Sequence, residues 1–310
     1  MPEEILKMDN VEFGGTGFYY DKAPRLPDEI EHIFPDYHLY DEYIQNQVDN
    51  GISIQKFEDY TNTSIGFMTR GCIRQCKFCV NQNYTKASRH SRIDEFFDPK
   101  RKYICLLDDN IFACKDWKSI FDELIATGHK FYFKQGMDER LLTEEKCDYL
   151  FNKSNYYGDY TFAFDNIKDQ QIIEKKLQMI RDFTSKQCRF YLFCGFNHNN
   201  PELYSEEFWK QDIIEMFERI RILMKYRCIP YIMRYKDYEL SPYRGVYITA
   251  ARWCNQVNLF KTVSIRQFAE KEQAMFKSGK MCSSMRYLKE FEERCPDIAA
   301  EYFNMKFTDI

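Results

Sequence analysis

Cys72, Cys76 and Cys79 stand within eight residues of one another in the run Ser64-Ile-Gly-Phe-Met-Thr-Arg-Gly-Cys-Ile-Arg-Gln-Cys-Lys-Phe-Cys-Val80. A cysteine that only fills a core needs no partners at fixed offsets, so the C-x3-C-x2-C spacing points to metal chemistry. A structural zinc site gathers four ligands, commonly as two C-x2-C pairs far apart in sequence. No second C-x-x-C or H-x3-H pair follows here. Iron–sulfur clusters usually take four cysteines. Three on one loop can hold three irons of a cubane and leave the fourth iron open to a substrate or cofactor. A zinc loop and three redox-inert thiols are the alternatives. Gly71, just before the trio, allows the backbone a sharp turn.

The loop needs a scaffold, and the chain supplies a repeating one. Six near-continuous apolar runs, 64–69, 103–107, 130–134, 160–164, 189–193 and 229–233, read as strands buried on both faces. Their starts lie roughly 27 to 40 residues apart, the length of one βα unit. Helices are expected between them. Asp116 is read as the cap of 117–127, with Gly128 ending it. Thr143 starts another helix with Glu144 and Glu145 in its first turn. Helix 169–184 carries Ile172, Ile173, Leu177 and Ile180 at helical spacing, and Ser205 caps a long helix reaching Tyr226. Strands alternating with helices predict an α/β fold with a parallel sheet. From about residue 241 strand patterns vanish and helical spacing takes over. The first 60 residues are less legible. Val11–Phe13 reads as a short strand, Phe13-Gly-Gly-Thr-Gly17 as a tight turn, and Pro27 as a first-turn residue of a short helix. His32 and His38 carry no metal pattern.

Composition sets outer limits. The 310 residues are 44% hydrophobic and 17% aromatic, enough for a packed core rather than a disordered chain. The net charge of −4, with no basic tail, gives no global electrostatic argument for nucleic acid. No run approaches a membrane span, and the acidic start lacks a signal-peptide core. Twelve cysteines in that setting predict reduced thiols and a cytoplasmic location.

The C-x3-C-x2-C loop, with aromatic Phe78 before its last cysteine, resembles the signature of the radical S-adenosylmethionine (radical SAM) superfamily. The wider set Gly-Gly-Thr-Gly-Phe, Leu-Pro-Asp-Glu-Ile-Glu, Pro-Asp-Tyr, Leu-Leu-Asp-Asp-Asn, Gln-Gly-Met-Asp and Ala-Phe-Asp-Asn, over residues 11 to 260, resembles a bacterial and phage group within it. The resemblance implies an open parallel (β/α)6 partial TIM-type barrel over 61–240. Residues 1–60 would be a short N-terminal segment, read as the remnant of a Rossmann-like half, and 241–310 a helical C-terminal extension. It implies one 4Fe–4S cluster on Cys72, Cys76 and Cys79. The cluster would cleave S-adenosylmethionine to methionine and a 5′-deoxyadenosyl radical that takes hydrogen from a substrate: RNA, peptide or small molecule. The electron donor would be a flavodoxin- or ferredoxin-like protein.

The same resemblance makes residues at strand ends cofactor contacts. Asp108 and Asp109 would receive the SAM ammonium group. Gln135, Asp138 and Arg140 would meet ribose or carboxylate, Asp165 the ribose hydroxyls, and the segment to Asn197 the adenine, with Phe78 beside the cluster. For each residue alone, a turn or cap role competes. The other nine cysteines form no compact set, and none precedes Cys72, so one cluster is expected and sulfur insertion is disfavoured. The stretch Lys86-Ala-Ser-Arg-His-Ser-Arg92, with Tyr84, is a weak candidate for RNA phosphate contact, and a solvated surface is its rival. Reading the whole chain as a non-catalytic iron–sulfur or zinc scaffold, or as an inactive truncated enzyme, is the competing account.

Overall fold

A computed structural model describes residues 4, 7–9, 11, 26–81, 84–197, 202, 204–277 and 279–308. The expected strand Val11–Phe13 and the turn Phe13–Gly17 lie outside the described residues, Val11 excepted. The chain is a mixed α/β protein with parallel sheets, and it divides into two compact units, Met1–Tyr132 and Phe133–Ile310.

The first unit carries β1 (Thr63–Gly66), β2 (Thr69–Arg70), β3 (Ser88–Arg89), β4 (Tyr103–Leu106) and β5 (Lys130–Phe133), which ends at the boundary. The order β1-β4-β5 forms one sheet, with β1 parallel to β4 from Thr63 opposite Tyr103 to Gly66 opposite Leu106. Helix Trp117–Ala126 connects β4 to β5 and buries Ile120, Phe121 and Leu124. Phe121 stacks on Phe112 at 5.6 Å and meets Phe131 of β5 edge-on at 6.0 Å. Gly128, at φ +70°, ends this helix as expected. Asp116 does not cap it: no side-chain bond forms. Its backbone lies at φ −89°, ψ 13° rather than in the extended region from which a cap side chain folds back over the first turn.

β1 is an edge strand, and its exposed backbone groups need partners. The Tyr37 hydroxyl accepts from Ile65 N at 2.9 Å and donates to Phe96 O at 2.6 Å. Arg101, 6% exposed, donates to Tyr60 O, Thr63 O and Tyr37 O, and its guanidinium lies 4.1 Å from the Tyr37 ring centre. The aromatic Pro-Asp-Tyr stretch thus braces the sheet edge. Tyr37→Phe is expected to lower unfolding free energy by about 1 kcal/mol, read by urea titration. An unchanged midpoint would show that water replaces the hydroxyl without loss.

The second unit carries β6 (Tyr160–Ala163), β7 (Cys188–Cys194) and β8 (Ile229–Arg234), all parallel in the order β6-β7-β8. Helix Gln170–Phe183 crosses from β6 to β7, and Glu206–Lys225 from β7 to β8. The latter is capped by Ser205, whose hydroxyl accepts from Phe208 N, as its sequence predicts. The helix expected after Thr143 is present as Glu144–Cys147, with the Thr143 hydroxyl accepting from Lys146 N, and it widens into a π-helical stretch, Asp148–Lys153. The predicted helical C-terminal stretch is present as Arg244–Cys254, Val257–Thr262, Ile265–Met275, Ser283–Arg294 and Pro296–Tyr302. Arg252 and Arg266 there bridge helices to Glu272 and Glu292. Pro27 is the residue before helix Asp28–Glu31 rather than in its first turn. Among the described residues no helix is long and apolar enough to cross a membrane.

Candidate cluster loop and strand-end site

The cysteine loop is the connection of a small hairpin. β2 and β3 pair antiparallel, Thr69 opposite Arg89 and Arg70 opposite Ser88, and His90 N adds a bond to Met68 O at 2.9 Å. Residues 71–87 therefore leave and return through one narrow base. Gly71 is required there. Its φ is +93°, and a Cβ would meet Lys86 O at 2.4 Å and the Tyr84 ring at 2.8 Å.

The end of β4 fastens the loop. Asp108 is 3% exposed, and its Oδ1 accepts from Thr69 N and Thr69 Oγ1, both at 2.6 Å, while Oδ2 accepts from Met68 N at 3.2 Å. Burial pushes its carboxyl up to about 6 against the pull of these donors. Asp109 accepts from Gly71 N at 2.9 Å and from the Asn81 amide at 2.6 Å. Asn110 donates its amide to Cys72 Sγ at 3.3 Å. Three consecutive residues thus grip the entry, the neck and one sulfur of the loop. The two carboxylates singled out for a cofactor ammonium group make these bonds to protein.

Two further backbone donors face sulfur: Arg74 N to Cys72 Sγ at 3.2 Å and Asn81 N to Cys79 Sγ at 3.4 Å. Cys79 N also donates to Cys76 O at 2.9 Å. Cys72, Cys76 and Cys79 are partly exposed, whereas the other nine cysteines are all buried. That contrast sets the three loop thiols, which solvent reaches, apart from the nine buried ones. Phe78 is half-buried within the loop. In donor type, spacing and access the trio fits an iron–sulfur cluster. Among the described residues no three His, Cys, Asp or Glu are already gathered as a metal-holding group, so ligation would draw the loop sulfurs together, as metal binding commonly does.

Beside the loop, Arg70 donates to Glu31 at 2.6 Å, His90 shares the same Glu31 oxygen at 3.0 Å, and His32 bonds Glu95 at 2.6 Å. His38 bonds Asp41. In the basic stretch, Arg89 pairs with Glu123 and Arg92 with Asp94.

The second unit presents its own strand-end groups. Gln135 is exposed. Arg140 bridges two carboxylates, Asp138 at 2.7 Å and Asp169 at 2.6 Å. Asp165 Oδ1 accepts from Phe193 N at 3.1 Å, and burial raises its pKa while Arg219 opposes the rise. Asn197 N donates to the Tyr204 hydroxyl at 3.1 Å.

Several residues here carry no sequence signal. Arg219, 2% exposed in the middle of a helix, donates to Phe164 O and Phe193 O, both at 2.9 Å, and ties the ends of β6 and β7. Asp212 accepts from Gly195 N at 2.8 Å and the Tyr247 hydroxyl at 2.7 Å. Glu139 is fully buried. Ala163 N donates to its Oε2 at 3.3 Å, and its Oε1 has no hydrogen-bond partner among the described residues. Burial first, then the neighbouring Asp138 charge, pushes its carboxyl up to about 8. Its position between two named residues of one motif was the only available pointer.

No protein-family model matches the chain, and no curated protein matches it. The functional reading therefore rests on the loop and its surroundings.

Proposed function

We propose that the chain is a radical SAM enzyme whose single 4Fe–4S cluster is held by Cys72, Cys76 and Cys79. One observation carries the reading: the only partly exposed cysteines among those described share one short loop in C-x3-C-x2-C spacing, with N–H donors directed at two of their sulfurs. The proposal extends to an open (β/α)6 partial barrel built on β1, β4, β5, β6, β7 and β8, supported by their chain order and the helices between them.

When bound, such a cluster supplies an open iron for S-adenosylmethionine and the electron that cleaves it to methionine and a 5′-deoxyadenosyl radical. The chain's own residues do the rest. Asp108 and Asp109 fix the loop neck, so the sulfurs start from a restricted set of positions. Arg74 N, Asn81 N and the Asn110 amide stabilise negative charge on sulfur, the form in which a thiol binds metal. Phe78 is the ring within the loop that would shield the site from water. Roles for Gln135, Asp138, Arg140, Asp165 and Asn197 in holding the cofactor rest on the resemblance alone. So do a flavodoxin- or ferredoxin-like donor and the substrate class.

The metal tests the reading first. Anaerobic incubation with iron and sulfide should load the chain and give the charge-transfer absorbance of a 4Fe–4S cluster. Equimolar zinc should not displace it. A Cys72→Ala, Cys76→Ala, Cys79→Ala variant should stay colourless. Tight zinc binding with no iron uptake would move the zinc scaffold ahead.

A further inference from the structure

Cys188 opens β7 and Cys228 immediately precedes β8, and both are 0% exposed. The register sets Arg189 opposite Ile229, so one step back places 188 beside 228 on neighbouring parallel strands. Adjacent strands lie about 4.8 Å apart, within the Cα spacing a disulfide spans. Side by side, the two thiols act on each other's ionisation. Each also faces a carbonyl two residues upstream: Cys188 Sγ donates to Lys186 O at 3.7 Å and Cys228 Sγ to Tyr226 O at 3.5 Å.

A cation singles out one of the two. Arg181, in the last turn of helix Gln170–Phe183, donates to Thr184 O and Lys186 O and sends Nη2 to Cys228 Sγ at 3.4 Å. Packing alone does not call for a guanidinium on a buried thiol.

We propose that Cys188 and Cys228 are a thiol pair that hydrogen peroxide closes to a reversible disulfide, with Arg181 favouring Cys228 as the attacking thiolate. The neighbouring Cys188 thiol and the Arg181 guanidinium hold the Cys228 thiol below its usual range, and Cys228 in turn pushes Cys188 up. Cys228 sulfur attacks one peroxide oxygen and the O–O bond breaks, giving a sulfenic acid and hydroxide, which takes up the proton lost from Cys228. Cys188 sulfur then attacks the sulfenic sulfur. The S–S bond forms, the S–O bond breaks, and hydroxide leaves with the Cys188 proton as water. Two thiols and one peroxide become one disulfide and two waters, with two electrons passing from sulfur to oxygen. A small dithiol reverses the change. The pair closes the start of β7 onto the start of β8, and the proposal is independent of the radical reading.

Peptide mapping decides it. The folded full chain is treated with hydrogen peroxide, its free thiols are alkylated in denaturant, and trypsin is added. Cleavage after Lys186, Arg189, Arg227 and Arg234 releases two short peptides, 187–189 and 228–234. The expected product is the two joined, lighter by two hydrogens than the separate pair, and lost on reduction. In Cys188→Ser, dimedone should trap a sulfenic acid on Cys228. Arg181→Met should slow linkage roughly tenfold. Circular dichroism of each variant verifies its fold. Recovery of both peptides singly alkylated from the wild type would overturn the proposal, as would linkage of either cysteine to a different one.

Discussion

Glu139→Gln should flatten the pH dependence of stability between about pH 4.5 and pH 8. The Glu139 carboxyl is fully buried and held at about 8, against 4.5 for an unperturbed glutamate. Across that window the folded chain keeps a proton that the unfolded chain has released. Stability is therefore complete below the lower value and falls as pH rises through the upper one. The window spans about 3.5 pH units, which corresponds to roughly 5 kcal/mol at most. Asp108, raised from 3.8 to about 6, adds a fall in the same direction over its own narrower window. Glutamine keeps the shape and an acceptor for Ala163 N but cannot ionise. Urea unfolding at pH 5 and pH 8.5 should show the wild type losing several kcal/mol more than the variant. Equal losses would mean that Glu139 is solvated or paired at neutral pH.

Asp108→Ala should be the most damaging single change at the cluster loop. Thr69 and Met68 are both 0% exposed, so the variant strands two backbone N–H groups and a hydroxyl without water to replace the carboxylate. Each buried donor left unmet costs about 1–3 kcal/mol, so a loss of about 3–5 kcal/mol is expected after partial relaxation. Asp108→Asn should fall between, because its amide nitrogen must face an N–H where an oxygen stood. Iron loading should drop with the hairpin base, since β2 leads directly into Gly71 and Cys72. Normal stability and normal iron uptake in the alanine variant would show that the loop holds itself.

The sheet strands were legible because each is a run of apolar residues bounded by polar turns. All six expected strands are present within a residue or three of their limits. The hairpin that frames the cysteines was not. Its arms, Thr69–Arg70 and Ser88–Arg89, are two residues each, too short to carry a period of two. The cysteine trio was legible from spacing alone. What surrounds it was not: Asp108 and Asp109 read as ligands because carboxylates after an apolar run need partners, and sequence does not say whether those partners are protein or cofactor. Arg219 and Asp212 sit in a helix that also carries many solvated charges, so burial alone distinguishes them. Glu139 was hidden the same way, between Asp138 and Arg140 in a run of three charges.

Radical chemistry at the cysteine loop would leave a product that can be counted. The reconstituted, dithionite-reduced chain is incubated anaerobically with S-adenosylmethionine, and 5′-deoxyadenosine is quantified by chromatography. The wild type should yield 5′-deoxyadenosine and the Cys72→Ala, Cys76→Ala, Cys79→Ala variant none. A wild-type chain that binds iron and sulfide fully yet yields no 5′-deoxyadenosine would contradict that chemistry.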